Sequence, residues 1–180
     1  MRIGIDISQI VYEGTGVARY VREMVRALLT IDKNNEYVLF GASLRKRHVF
    51  YEYFEKVKMV KKGIKLVVIP VPPTALDILW NTLHVIPIEW FIGPVDVFWS
   101  SDWTQPPLSR ARAVTTIHDL VALKYPSETD SRIVATHNRR LTQVVKECRA
   151  ILCDSESTRK DIKQLLNIPN LRLYVVYPGI

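Results

Sequence analysis

Residues 1–29, MRIGIDISQIVYEGTGVARYVREMVRALL, change period part-way along, and that change decides the fold. Arg2 to Asp6 is a short apolar run closing on a carboxylate, the pattern of a buried strand. The loop that follows, Ser8 to Gly16, holds two of the seven glycines. From Val17 the spacing becomes helical. Val17, Tyr20, Val21, Met24, Val25, Leu28 and Leu29 share one face, while Arg19, Arg22, Glu23 and Arg26 occupy the other.

The alternation continues outward from there. Tyr37 to Phe40, Lys65 to Ile69, Val95 to Ser100, Val114 to Ile117, Ala150 to Asp154 and Leu173 to Val176 read as further strands. Arg45 to Lys58, Leu76 to His84, Arg132 to Cys148 and Ser155 to Leu166 read as helices, and Pro70, Pro72 and Pro73 break the chain after the third strand. In Arg132 to Cys148, one face carries Ile133, His137, Leu141, Val144 and Val145. Nearly continuous apolar strands alternating with helices predict an α/β fold, doubly wound around a mostly parallel sheet of about seven strands.

Composition agrees with one packed domain. Of 180 residues, 48% are hydrophobic and 24% charged, which excludes disordered, collagen-like and coiled-coil chains. Lys and Arg outnumber Asp and Glu by 25 to 18, a net charge of +7 that favours phosphate or anionic surfaces. The basic residues are spread across elements without a nucleic-acid motif, so no nucleic acid is expected as a partner. MRIGIDIS lacks the apolar stretch of a signal peptide, which predicts a cytoplasmic protein. Thr74 to Gly93 is the most apolar window, but Asp77, His84, Pro87 and Glu89 interrupt it, so it does not read as a membrane span. Cys148 and Cys153 have no second pair to complete a zinc site and read as reduced, buried thiols.

In a doubly wound sheet ligands bind beyond the carboxyl ends of the strands. The loops after Asp6, Ser100, Ile117 and Asp154 are therefore where chemistry is expected. Gly14-Thr15-Gly16 opens a helix whose free N–H groups favour an anion, although Arg19 stands where a dinucleotide fingerprint has its third glycine. The same glycines also fit a plain turn. His118 and Asp119 end a strand at the ligand edge, and neighbouring residues there need not touch each other. Asp102 and Trp103 lie in a polar loop, where the indole either stacks on a sugar or anchors the loop. Ser155 is placed to cap a helix whose first turn holds Glu156 and Arg159. Arg45, Lys46, Arg47, Lys56, Lys58, Lys61, Lys62 and Lys65 flank Trp80, Trp90 and Phe91. This region reads either as a solvated basic face or as a peripheral contact with an anionic membrane at the inner face of the cell membrane.

MRIGIDIS, GTGVARYVREMVRAL, TTIHDLVALKYP, CDSESTRKDI and the terminal VVYPGI together resemble the N-terminal half of a family-4 (group 1) retaining glycosyltransferase with the GT-B fold. The resemblance implies that residues 1–176 are a Rossmann-like acceptor-side domain. Residues 177–180 would open a linker to a C-terminal domain, which shares the nucleotide-sugar donor. It implies transfer of a hexosyl group, with retention, to a glycan or lipid-linked acceptor in polysaccharide synthesis. The nucleotide sugar is then a co-substrate, with no other cofactor. It places Gly14, Thr15 and Gly16 near the donor diphosphate and His118 at the reaction centre. Arg19, Asp102, Trp103, Asp119, Glu156 and Arg159 would line the acceptor. Ala18 departs from the glycine that many relatives have. No Asp-x-Asp occurs in the chain, so no metal is expected. The competing reading is an acceptor-binding or membrane-docking module that works with a separate donor-binding subunit.

Overall fold

Seven strands, β1 (Arg2–Asp6), β2 (Glu36–Ala42), β3 (Lys65–Ile69), β4 (Val97–Ser100), β5 (Arg112–Ile117), β6 (Cys148–Cys153) and β7 (Leu173–Val175), form one sheet in the computed structural model, which describes residues 1–179. Their order is β3-β2-β1-β4-β5-β6-β7, and every neighbouring pair is parallel. The helices are α1 (Gly16–Ile31), α2 (Arg47–Val57), α3 (Pro73–Leu76), α4 (Glu89–Ile92), α5 (Val121–Lys124), α6 (Ser131–Glu147) and α7 (Glu156–Leu166). The sheet is the doubly wound, Rossmann-like architecture expected from the alternation of periods.

Strand side chains alternate between the two faces, and the core divides accordingly. Tyr37 and Leu39 of β2 join Val21, Val25 and Leu29 of α1 and Val49, Phe50 and Tyr53 of α2 in one cluster. Val38 and Phe40, one residue out of step, join Leu76, Trp80, Ile88 and Ile92 on the opposite face. Leu141 and Val144 of α6 and Ile162 of α7 cover Ala113, Ile117, Ile151 and Leu173 at the far flank. Burying each large side chain contributes about 1.5–3 kcal/mol, so the three clusters supply the main driving force. Close approach of α2 to β2 depends on Gly41, where an added Cβ would lie 2.8 Å from the Phe50 ring.

Several boundaries differ from the sequence reading. The third helix starts earlier, at Pro73, where proline suits a first helical position. It then loosens into a π-type segment over Asp77–Thr82, in which Leu83 N–H donates to the Ile78 carbonyl at 2.9 Å. Cys148 opens β6 instead of ending α6. Ile133 is exposed, because α6 buries the face carrying Arg140, Leu141 and Val144. The short helices α4 and α5 were not anticipated; each spans four residues, too few for periodicity to register. Both cysteines are free and buried, and burial pushes the Cys148 thiol up to about 12 and that of Cys153 to about 11.

Candidate functional site

The carboxyl ends of β5 and β6 meet in a hydrogen bond that their register dictates. Ile117 pairs with Cys153, so the next residue on each strand, His118 and Asp154, lie opposite each other. His118 Nδ1 is 2.6 Å from Asp154 Oδ2, with both side chains largely buried. Thr158 Oγ1 donates to the His118 carbonyl at 3.0 Å, and Ser155 caps α7 by accepting from Thr158 N–H. Burial alone would push the His118 pKa down. The hydrogen bond to Asp154 and the negative fields of Asp102 and Asp154 outweigh it, against opposition from Arg140, and leave the imidazole above its ordinary value. Asp119 does not join this pair; its Oδ1 accepts from Val121 N–H at 2.9 Å at the start of α5.

The glycine loop reaches the same edge through α1. Gly14 takes φ 83°, a left-handed conformation open to glycine, and Thr15 then caps α1 by accepting from Ala18 N–H. Tyr20, in the second turn, meets the His118 ring edge-on with centroids 4.8 Å apart. Beneath the loop, Asp6 is fully buried: Ser8 N–H donates to Oδ1 at 2.8 Å, while Oδ2 lies toward Ser101 without a hydrogen bond. Burial raises its pKa. Arg19 lines a shallow depression of about 530 Å³ with Glu13, Gly14, Thr15 and Gly16.

A buried arginine forms the third wall. Arg140 is 1% exposed, and its guanidinium donates to Thr115 Oγ1 at 2.7 Å, to the Thr116 carbonyl at 3.0 Å and to Asp102 Oδ1 at 3.3 Å. It thereby ties the loop after β4 to β5. Trp103 packs on His137 of α6 at 5.2 Å, and its carbonyl accepts from Asn81, so the indole anchors the loop. Burial pushes the His137 pKa down. Glu156 and Arg159 sit in the first turn of α7 and pair with each other at 2.7 Å.

The sequence over residues 14–180 matches the model of glycosyltransferase family 4. The chain belongs to glycosyltransferase family 4. No curated protein matches it. As a family-4 domain it is a glycosyltransferase domain, and the edge just described is its candidate functional site.

Three residues of this glycosyltransferase site were not singled out from sequence. Asp154 had a signal: it closes the strand after β5, and consecutive parallel strands usually lie side by side with their ends aligned. Arg140 also had one, since it falls with His137, Leu141 and Val144 at helical spacing on the buried face. Tyr20 had none, because an aromatic on the apolar face of α1 reads as core. Among the described residues no group of three or more His, Cys, Asp or Glu side chains could hold a metal ion. Among the same residues no helix is long and apolar enough to cross a membrane.

Proposed function

We propose that residues 1–176 are the acceptor-side domain of a retaining GT-B glycosyltransferase. Residues 177–180 begin a linker to a second domain that binds the nucleotide sugar. The complete protein transfers a hexosyl group to a glycan or lipid-linked acceptor in cell-surface polysaccharide synthesis, in the cytoplasm, with no metal. The observation that carries this reading is the contact of His118 with Tyr20, one turn into the helix that the glycine loop opens, which brings the helix entry and the histidine to the same sheet edge.

The chemistry follows from what each group offers. A departing diphosphate needs positive potential that is already in place. Ala18 N–H is taken by Thr15 Oγ1 and Arg19 N–H by the Thr15 carbonyl, which leaves the first-turn N–H groups of Gly16 and Val17 for the diphosphate. His118 Nε2 meets a hydroxyl of the transferred sugar. Asp102, Trp103, Asp119, Glu156, Arg159 and Arg19 border the acceptor, with Asp102 held in place by Arg140.

The test uses the intact protein with a panel of uridine and guanosine diphosphate sugars and mixed glycan or lipid-linked acceptors. Acceptor-dependent release of nucleoside diphosphate is expected, with retained anomeric configuration in the product. The His118→Ala variant should lose about 10²-fold in kcat. Product of inverted configuration overturns retention, and full activity in His118→Ala overturns the site.

One observation also favours peripheral membrane attachment. Leu44, Tyr51 and Met59 are exposed beside Arg45, Arg47, Lys56 and Lys62, along and just beyond the ends of α2. The aromatic part of the sequence reading needs correction, because Trp80 is fully buried against Phe40 and Phe91, and only Trp90 is strongly exposed. Attachment predicts salt-sensitive binding to anionic vesicles and none to neutral ones. Equal binding to both, or to neither, overturns it.

A further inference from the structure

His118 is held from several sides at once. Asp154 binds Nδ1, Thr158 binds the backbone carbonyl, and the Tyr20 ring sets the plane of the imidazole. Tyr20 is itself fixed, with its hydroxyl 3.5 Å from Thr116 Oγ1, which also accepts from Trp99 Nε1 at 3.1 Å. Nε2 makes no hydrogen bond among the described residues. Asp154 is committed to this one contact, since its other oxygen, Oδ1, is buried without a partner. A half-desolvated carboxylate costs stability unless another gain offsets it. Helix α7 does not need it, because Ser155 supplies the cap.

We propose that Asp154 is a positioning residue that fixes His118 as the Nδ1–H tautomer and so presents Nε2 to the sugar in the cleft. The proposal rests on the glycosyl-transfer reading for the identity of that sugar, and on geometry alone for the tautomer. With Nδ1–H donating its hydrogen bond to Asp154, neutral His118 offers a lone pair at Nε2, and on protonation the same atom becomes a donor. A sugar hydroxyl both donates and accepts, so the contact survives either state without a ring flip. The groups facing the imidazole are Asp154 after β6, Asp102 after β4, Arg140 from α6 and Tyr20 from α1. Both carboxylates favour the imidazolium, whereas burial and Arg140 oppose it.

The experiment is ring-nitrogen NMR of the intact protein labelled with ¹⁵N-histidine, with the His118 signals assigned by their loss in His118→Gln. In the wild type at alkaline pH, Nδ1 is expected to be protonated and Nε2 not. In Asp154→Asn the tautomer preference should weaken and the His118 pKa fall, whereas Asp154→Glu should restore part of both. An Nε2–H tautomer in the wild type overturns the proposal whether or not any variant folds. An unchanged tautomer and pKa in a folded Asp154→Asn also overturns it, since a merely structural carboxylate would shift only the melting temperature. Absence of glycosyl transfer in the intact protein overturns the transferase reading and leaves the tautomer result standing.

Discussion

Between β2 and α2 the interior is filled by Leu39, Phe50, Tyr53 and Val57, whereas between β5 and α6 the corresponding layer holds Thr115 and the guanidinium of Arg140 beside Leu141. Both layers are closed to water, and both flank the same parallel sheet. The first is stabilised by area removed from water, and the second also carries polar groups that must each be satisfied. Ser100, Ser101, Thr104, Gln105, Thr115, Thr116, Arg140 and Thr158 are buried polar residues of the later half, joined by Asn81, which hydrogen-bonds Gln105 and the Trp103 carbonyl, and they gather toward the edge where His118 lies. The β1–β3 flank thus serves as a rigid platform, and the β4–β6 flank gives up some hydrophobic stabilisation to fix polar atoms in place.

The largest test of that contrast is truncation on the apolar flank. Phe50 is fully buried and its ring covers Gly41, so Phe50→Ala should lose about 3–5 kcal/mol in urea unfolding. A loss below about 1 kcal/mol would mean that the cavity collapses and the flank is not the rigid member of the pair.

The next effect separates a broken ion pair from a replaced one. Arg140→Met removes the donor to Thr115 Oγ1, the Thr116 carbonyl and Asp102 at once, and should cost about 3 kcal/mol, the low end for a buried pair because Asp102 keeps some solvent. Adding Asp102→Asn should recover part of that loss, because no uncompensated carboxylate remains. If the double variant is no more stable than the single one, the cost lies in the β5 contacts and Arg140 does not serve to hold Asp102.

The same contrast governs what could be read from sequence. The apolar flank was legible because Tyr37 to Phe40 is a continuous apolar run, buried on both faces as a central parallel strand should be, and Val21, Val25 and Leu29 follow helical periodicity and are buried. His118 was legible because it directly follows a strand at the ligand edge. Its partner was not, because pairing of His118 with Asp154 depends on which strands become neighbours and in what register, and no local pattern encodes that. Trp80 was misread for a related reason. Its neighbours in sequence are partly polar, but the π-type segment turns it onto Phe40 of β2, a contact between residues far apart in sequence.

The smallest expected effect concerns pH and tests the polar flank alone. The folded-state pKa of His118 is raised above its ordinary value, so the native state binds more protons than the unfolded chain in that window. Stability from this source is fully present below the unfolded value of about 6.5 and is lost as pH rises through the folded pKa. Asp154→Asn removes the hydrogen bond that does most to raise it, so the gap in melting temperature between wild type and variant should be widest below about pH 6.5 and should narrow as pH rises above it. Asp6 also has a raised pKa from burial, but it is common to both proteins and cancels in the difference. A gap that stays constant would assign Asp154 a packing role only, and a gap that widens with pH would mean that the imidazole is favoured in its neutral form. Either result would take the His118–Asp154 pair out of the contrast, which would then rest on Arg140 and the buried hydroxyl and amide groups around it.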